Sequence, residues 1–322
     1  DVILLIGGMI ALIYAADRLV RSAVIISRAS GVSAVLIGAV VIGFGTSIPE
    51  FVVSGLAALE GELDLAVANV LTSNVANVTL VLGGAAVVSV LVARQQVIRH
   101  QGALMLAAVV VLTAVLADGR LAFWEGVMLL VLLGGAIALM IRWSTDDPEG
   151  VAKDPEDVGL DTVDDRENSV GSSRRRSQVG REIIIGLAAL VATVIAAKFM
   201  LDGVLGIGER LGLSVVVLGL VTGIGTSLPE LAAALASARR KQPELALGNV
   251  LGSNIFNSLG VIGFAAVLGP GPLDLIGPVI LAAMVGAAVV AGLFAYSGRR
   301  IDRLEGVLLL IGFVVFTVLA FL

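Results

Sequence analysis

Apolar residues fill this chain in long blocks, and polar residues are largely confined to the short intervals between them. A helix needs about 20 apolar residues to cross a bilayer. Blocks of that order run roughly over 2–27, 32–59, 64–92, 101–118, 122–142, 181–206, 213–238, 243–269, 274–297 and 303–322. The pattern predicts an all-α membrane protein with ten transmembrane helices. Trp124 and Trp143 fall near the two ends of the fifth block, as expected of an aromatic belt at each interface. The one long polar interval is 144–180. It runs from acidic (Asp146, Asp147, Glu149, Asp154, Glu156, Asp157) to basic (Arg174, Arg175, Arg176), lacks an apolar period, and reads as a flexible cytoplasmic linker. The expected division is therefore a first unit at 1–143, the linker at 144–180 and a second unit at 181–322.

Polar residues inside the apolar blocks are the informative exceptions. The second block contains Gly43-Phe44-Gly45-Thr46-Ser47-Ile48-Pro49-Glu50, and the seventh contains Gly223-Ile224-Gly225-Thr226-Ser227-Leu228-Pro229-Glu230. A charged carboxylate at the centre of a membrane helix costs about 2.5–3.5 kcal/mol or more, unless it faces a polar cavity or a cation. Pro49 has no N–H, so the helical bond back to the Gly45 carbonyl cannot form, and Pro229 does the same to Gly225. Freed carbonyls, two hydroxyls and a carboxylate gather at each break. Oxygen clusters of this kind suit hard cations such as Ca²⁺ and Na⁺.

The two breaks belong to a repeat. Sliding the chain by 180 residues aligns 33–83 with 213–263 without a gap, with about 19 of 51 positions identical. A second shared block is Asn69-Val70-Leu71-Thr72-Ser73-Asn74-Val75-Ala76-Asn77, echoed by Asn249-Val250-Leu251-Gly252-Ser253-Asn254-Ile255-Phe256-Asn257. Asn69, Ser73 and Asn77 recur every four residues and make one stripe on the third helix. Asn249, Ser253 and Asn257 do the same on the eighth. Ser73, Asn77, Ser253 and Asn257 fall level with the Pro-Glu breaks and read as site-lining residues. Asn69 and Asn249 read as interhelical hydrogen-bond formers. Five helices per repeat is an odd number, so the second repeat must insert upside down. Inverted repeats with broken helices near the midplane are a recurring transporter plan.

Composition narrows the chemistry. The 322-residue chain is 58% hydrophobic and 15% charged, against about 25% charged in soluble domains. There are no cysteines and one histidine, His100, read here in a short basic loop, so disulfides, thiolate sites and a zinc site are excluded. The net charge of −5 gives no sign of nucleic-acid binding. No cleavable signal peptide is recognisable, and a chain starting at Asp1 without Met suggests a trimmed N-terminus. Of 21 Lys and Arg, 16 fall in alternate inter-block loops and at their edges, which places both termini outside and the 144–180 loop in the cytoplasm of a cell-membrane protein. The outer Glu60, Glu62 and Asp64 read as solvated loop charge. Asp17, Arg18 and Arg21 are expected to snorkel or pair locally, and Lys198 with Asp202, one turn apart, to neutralise each other.

The doubled Gly-Thr-Ser-hydrophobic-Pro-Glu and Asn-x-x-x-Ser-Asn-x-x-Asn blocks resemble the two alpha-repeats of the cation/calcium antiporter superfamily, and most closely the prokaryotic sodium/calcium exchangers. The resemblance covers essentially the whole membrane region. It implies ten helices as two inverted five-helix repeats, with Pro-broken second and seventh helices. A central core of helices 2, 3, 7 and 8 would be crossed by sliding helices 1 and 6. It also implies that Glu50 and Glu230 are the Ca²⁺-binding glutamates, and that Thr46, Ser47, Thr226 and Ser227 are hydroxyl and carbonyl ligands. Gly43 and Gly223 would lend backbone oxygens to Na⁺ sites, and Ser73, Asn77 and Ser253 would complete the set. Some members carry Asp where this chain has Asn257, and Asn there implies potassium-independent exchange.

The expected function is Na⁺/Ca²⁺ antiport by alternating access. Ca²⁺ and Na⁺ are the transported ions, the bilayer the surroundings, and neither a cofactor nor an obligate protein partner is implied. A Ca²⁺/H⁺ antiporter is the nearest rival, because two buried glutamates can also exchange protons. A cation channel is a second alternative. An intramembrane serine hydrolase using Ser47 or Ser227 lacks a histidine base in the membrane blocks, and no enzymatic activity is expected.

Overall fold

The computed structural model describes residues 1–145, 171–212, 224–274 and 276–319, with backbone only for 171–178 and Leu319. The described residues are almost wholly helical: α1 Val2–Ser30, α2 Ala34–Thr46, α3 Ile48–Leu59, α4 Leu63–Val88, α5 Gln95–Leu116, α6 Phe123–Thr145, α7 Gly171–Arg210, α8 Leu228–Arg239, α9 Pro243–Leu268, α10 Pro278–Gly298 and α11 Arg303–Leu319. Seven of these are long and apolar enough to cross a membrane, or eight if the bent pair α2 and α3 is one span. Their outward faces carry residues such as Ile3, Val131, Val279 and Leu304, as lipid-facing helices should.

Helices α4 and α9 form the centre, with 72% and 83% of their apolar windows buried against 22–33% for the other spans. In lipid no hydrophobic drive separates helix from tail, so close packing of small residues carries the association. The crossing of α2 over α9 shows this. A Cβ on Gly38 would sit 2.6 Å from the Leu245 carbonyl oxygen, and one on Gly252 would sit 2.5 Å from Ala39 Cα. Backbone meets backbone here, and the glycines are required by the approach itself.

The main apolar core draws on α2 to α6 and α8 to α11, and none of its buried residues comes from α1 or α7. Those two helices run antiparallel against each other, with Gly8 pressed on Met200 and Gly203 on Leu5. They meet the rest through a smaller cluster of Ala16, Leu19, Leu190, Ala233 and their neighbours. Ion pairs fasten this arrangement. Arg18 pairs with Glu182 at 2.8 Å, and Ser22 donates to the same carboxylate at 3.0 Å. Arg240 grips Asp17 through two bonds of 2.7 and 2.5 Å. The expectation of local pairing for Asp17 and Arg18 is corrected: both partners lie far along the chain, on α7 and just past α8. Lys198 and Asp202 do pair along α7, at 3.2 Å.

Two short antiparallel bridges join the helix ends. Strand β1 (Leu91–Val92) pairs with β4 (Arg300–Ile301), and β2 (Arg120–Leu121) pairs with β3 (Gly271–Pro272). Adding 180 to Leu91 and Leu121 gives Gly271 and Ile301, so each bridge is the repeat image of the other. Two boundaries differ from the sequence pattern. His100 lies within α5, where its ring stacks on Trp143 with centroids 4.6 Å apart. Its polar neighbours kept it out of an apolar block without stopping the helix. Likewise α7 starts at Gly171, so the C-terminal part of the expected linker is helical, while 146–170 lie outside the described residues.

Candidate functional site

Each proline places its break where the sequence puts it. Ser47 (φ −82, ψ 4) and Ser227 (φ −88, ψ 7) leave helical geometry, and Pro49 and Pro229 stand in the first turn of the next helix, where a missing N–H costs nothing. The α2–α3 break bends the path by 43°. Glu50 and Glu230 thereby fall in the first turns of α3 and α8, close to helix N-termini. On the crossing helices, π-helical turns span Asn77–Val81 in α4 and Phe256–Val261 in α9. Such turns widen a helix locally and recur at functional sites.

The polar side chains converge. Glu50, Glu230, Thr46, Ser47, Ser73, Asn77, Ser253 and Asn257 are fully buried, with Ser227 and Thr226 nearly so. Ser73 donates to Glu50 Oε1 at 3.2 Å, accepts from Ser227 at 3.4 Å and lies 3.5 Å from the Thr226 hydroxyl. Ser47 donates to Glu230 Oε1 at 3.1 Å, joining the first break to the second carboxylate. Ser253 donates to the Gly43 carbonyl at 3.2 Å. Gly223 lies outside the described residues. The sequence-selected residues that are described lie between α2–α3, α8, α4 and α9 in two hydrogen-bonded groups: Glu50 with Ser73, Thr226 and Ser227, and Glu230 with Ser47, joined through Asn249 to Thr46, Gly43 and Ser253; Asn77 and Asn257 make no side-chain hydrogen bond to either.

The cluster holds buried polar atoms that no protein group pairs. Glu50 Oε2, Glu230 Oε2 and both amide atoms of Asn77 and Asn257 are buried without a protein hydrogen-bond partner. Buried polar groups are ordinarily paired, and each exception calls for a reason. Among the described residues no group of three or more His, Cys, Asp and Glu side chains stands close enough to hold a metal. Two carboxylates, supplemented by hydroxyls, amides and carbonyls, are what this interior offers a cation. That donor set is all oxygen and suits Na⁺ or Ca²⁺.

Asn249 is an interhelical hydrogen-bond former, as the sequence suggests, and its partners belong to the site. Its amide donates to the Glu230 main-chain oxygen at 3.0 Å, and its Oδ1 lies 3.4 Å from the Thr46 hydroxyl. Asn69 behaves as a plain interhelical link, donating to Ser54 at 3.1 Å. Asn74 was not singled out; it donates to Ser258 at 2.9 Å and ties α4 to α9. Asn74 and Asn254 are identical in the two repeats, which is the signal in the sequence that marks them.

Comparison with known proteins shows the family. The family model for sodium/calcium exchanger protein matches residues 1–142 and 182–322, the stretches that carry every residue of the cluster. The chain belongs to the sodium/calcium exchanger family. Among related sequences, the inner membrane protein YrbG of Escherichia coli is 36% identical over 272 residues, covering 84% of this chain and 81% of its own. The sodium/calcium exchanger MaX1 of Methanosarcina acetivorans is 28% identical over 347 residues, covering 99% and 98%. The fold is that of the sodium-calcium exchanger NCX_Mj, solved after soaking with Na⁺ and Ca²⁺, with a TM-score of 0.81 at 26% identity over 98% of this chain and 96% of that one. The protein is thus a multi-helix membrane protein of a cation/calcium antiporter family.

Proposed function

We propose that this exchanger moves Na⁺ against Ca²⁺ by alternating access at one site built from Glu50 and Glu230. The observation that carries the reading is the pair of fully buried carboxylates, each with an unused oxygen. Among the described residues no salt bridge with Lys or Arg reaches either one. Uncompensated buried charge is costly. One Ca²⁺ balances the pair, and Na⁺ ions divided among the same oxygens can replace it. Thr46, Ser47, Thr226, Ser227, Ser73, Asn77, Ser253 and Asn257 act as neutral donors to the ions, with backbone oxygens of Gly43 and Gly223. An empty or half-filled site then crosses poorly under an apolar cover, and that penalty couples the two ions.

The architecture we infer is ten spans in two inverted five-helix repeats, 1–143 and 181–322, joined by a cytoplasmic 144–180 segment with both termini outside. The paired bridges related by a shift of 180 residues support it. So does the alternation of basic loops along the chain. The names of MaX1 and NCX_Mj support Na⁺ as the counter-ion. The buried carboxylates would equally carry protons, so Ca²⁺/H⁺ exchange is the rival. Radioactive Ca²⁺ uptake into proteoliposomes separates them. A Na⁺ gradient is expected to drive uptake that survives collapse of the pH gradient by a protonophore. Uptake that follows the pH gradient and ignores Na⁺ would assign the rival.

Asn257 gives a second expected outcome. An amide ligates through its carbonyl oxygen and exchanges no proton, whereas a carboxyl in the same cavity can bind one, and that proton competes with the cation. Asn257→Asp is expected to make Na⁺-driven Ca²⁺ flux fall more steeply than in wild type as pH drops from about 8 to 6. Superimposable pH profiles would remove Asn257 from the ion site.

A further inference from the structure

We propose that Asn249 is a positioning residue that locks the Glu230 half of the site to the Thr46 half, and that its repeat mate Asn69 has no such role. The inference rests on the proposed ion site and goes beyond its ligands. Asn249 is fully buried on α9. Its Nδ2 donates to the Glu230 main-chain oxygen at 3.0 Å, and its Oδ1 is one of three acceptors around the Thr46 hydroxyl, at 3.4 Å, with the Ile42 carbonyl at 3.0 Å and the Gly43 carbonyl at 3.4 Å. One amide therefore touches both broken helices. The contact to Glu230 fixes the backbone from which the carboxylate projects. The acceptors around Thr46 take its hydrogen, which leaves a hydroxyl lone pair directed elsewhere for a cation.

Repeat symmetry predicts that Asn69 should do the same for Glu50 and Thr226, and it does not. Asn69 is only half-buried, and its amide donates to Ser54, whose own hydroxyl donates to the Ala66 carbonyl. The residue 180 positions after Ser54 is Ala234, which offers no oxygen. Ser54 thus diverts Asn69 within the first repeat, while Asn249 is left to the second site half. The two glutamates, alike in sequence, are held differently: Glu50 through its side chain by Ser73, and Glu230 through both its side chain and its backbone.

The experiment compares Ca²⁺-dependent thermal stabilisation of purified wild type, Asn249→Leu, Asn249→Asp, Asn69→Leu and Glu230→Gln, in Na⁺-free buffer. The readouts are the ion-free melting temperature and the half-saturating Ca²⁺ concentration, obtained by fitting the Ca²⁺-dependent rise in stability to RT ln(1 + [Ca²⁺]/Kd). Loss of a residue that orients a ligand typically costs about 10–100-fold in metal affinity. Asn249→Leu is expected to raise half-saturation by about tenfold or more, while Asn69→Leu leaves it within about twofold of wild type. Asn249→Asp keeps an acceptor for Thr46 but loses the donor to Glu230, and serves where the leucine variant does not fold. A lower ion-free melting temperature with unchanged half-saturation, in whichever Asn249 variant folds, would make Asn249 structural only and overturn the proposal. Equal shifts at Asn69 and Asn249 would overturn it too, as would collapse of both Asn249 variants. Failure of the ion-site reading itself looks different: Glu230→Gln would then keep wild-type Ca²⁺ stabilisation.

Discussion

Glu50→Gln and Glu230→Gln are each expected to reduce Ca²⁺ transport to background while leaving the helix bundle folded. Glutamine has nearly the shape of glutamate and keeps an oxygen for the hydroxyl that donates to it, Ser73 for residue 50 and Ser47 for residue 230. Packing around the breaks should therefore persist. The charge balance does not. Two carboxylates match one divalent ion, and with one removed the occupied site carries a net positive charge in a low-dielectric interior. Removing one partner of a buried charge pair costs about 3–5 kcal/mol, which is roughly two decades or more in affinity. Size-exclusion profiles check the fold, and radioactive Ca²⁺ flux checks the function. A folded variant at either position with near-normal Ca²⁺ exchange would remove that glutamate from the site.

The second large effect is expected at a residue that has no side chain. Gly252→Val should abolish the folded protein or leave it aggregating on purification. A Cβ there would enter the Ala39 backbone, and Gly248 and Gly38 close the same α2–α9 crossing from either side. Overpacking a well-packed interior costs about 1–3 kcal/mol, and more where the obstacle cannot turn away. Here the obstacle is main chain. The α2–α9 contact also sets Gly43 against Ser253, so a displaced crossing would spoil the ion site even in molecules that fold. Gly286→Val on α10 is the matched control, since a Cβ there meets nothing within 4 Å, and it should purify like wild type. Equal behaviour of the two variants, judged by melting temperature and elution, would contradict the close crossing.

Much of this site was legible in the sequence because its cause is local. A proline in an apolar block breaks one helical bond at a known place, and the breaks at Ser47 and Ser227 stand where Pro49 and Pro229 dictate. The four-residue spacing of Ser73 and Asn77, and of Ser253 and Asn257, put them on inward faces for the same reason. What the sequence hid depends on distant partners. Sequence alone offers Asp17 and Arg18 snorkelling or local pairing, but their partners Arg240 and Glu182 are chosen by how α1 lies against α7 and α8. His100 looked like a loop residue because hydropathy ends a span at the first polar cluster. The helix runs on, and the ring finds Trp143. Asn69 and Asn249 occupy equivalent repeat positions, and their difference comes from Ser54 against Ala234, a change that means nothing until the two helices are in contact.

If Ca²⁺ and Na⁺ share the Glu50–Glu230 site, they contend for it. A ligand that binds only the folded state stabilises it by RT ln(1 + [L]/Kd), so the rise in melting temperature with ligand concentration, fitted to this form, gives the half-saturating concentration. Purified protein is titrated with Ca²⁺ at several fixed Na⁺ concentrations, with choline keeping ionic strength constant. Na⁺ alone is expected to stabilise the protein, and raising Na⁺ to move the fitted Ca²⁺ midpoint to higher concentration, with the curves converging at high Ca²⁺. Stabilisation by the two ions that simply adds, with the Ca²⁺ midpoint unmoved by Na⁺, would mean separate sites and would contradict a shared one.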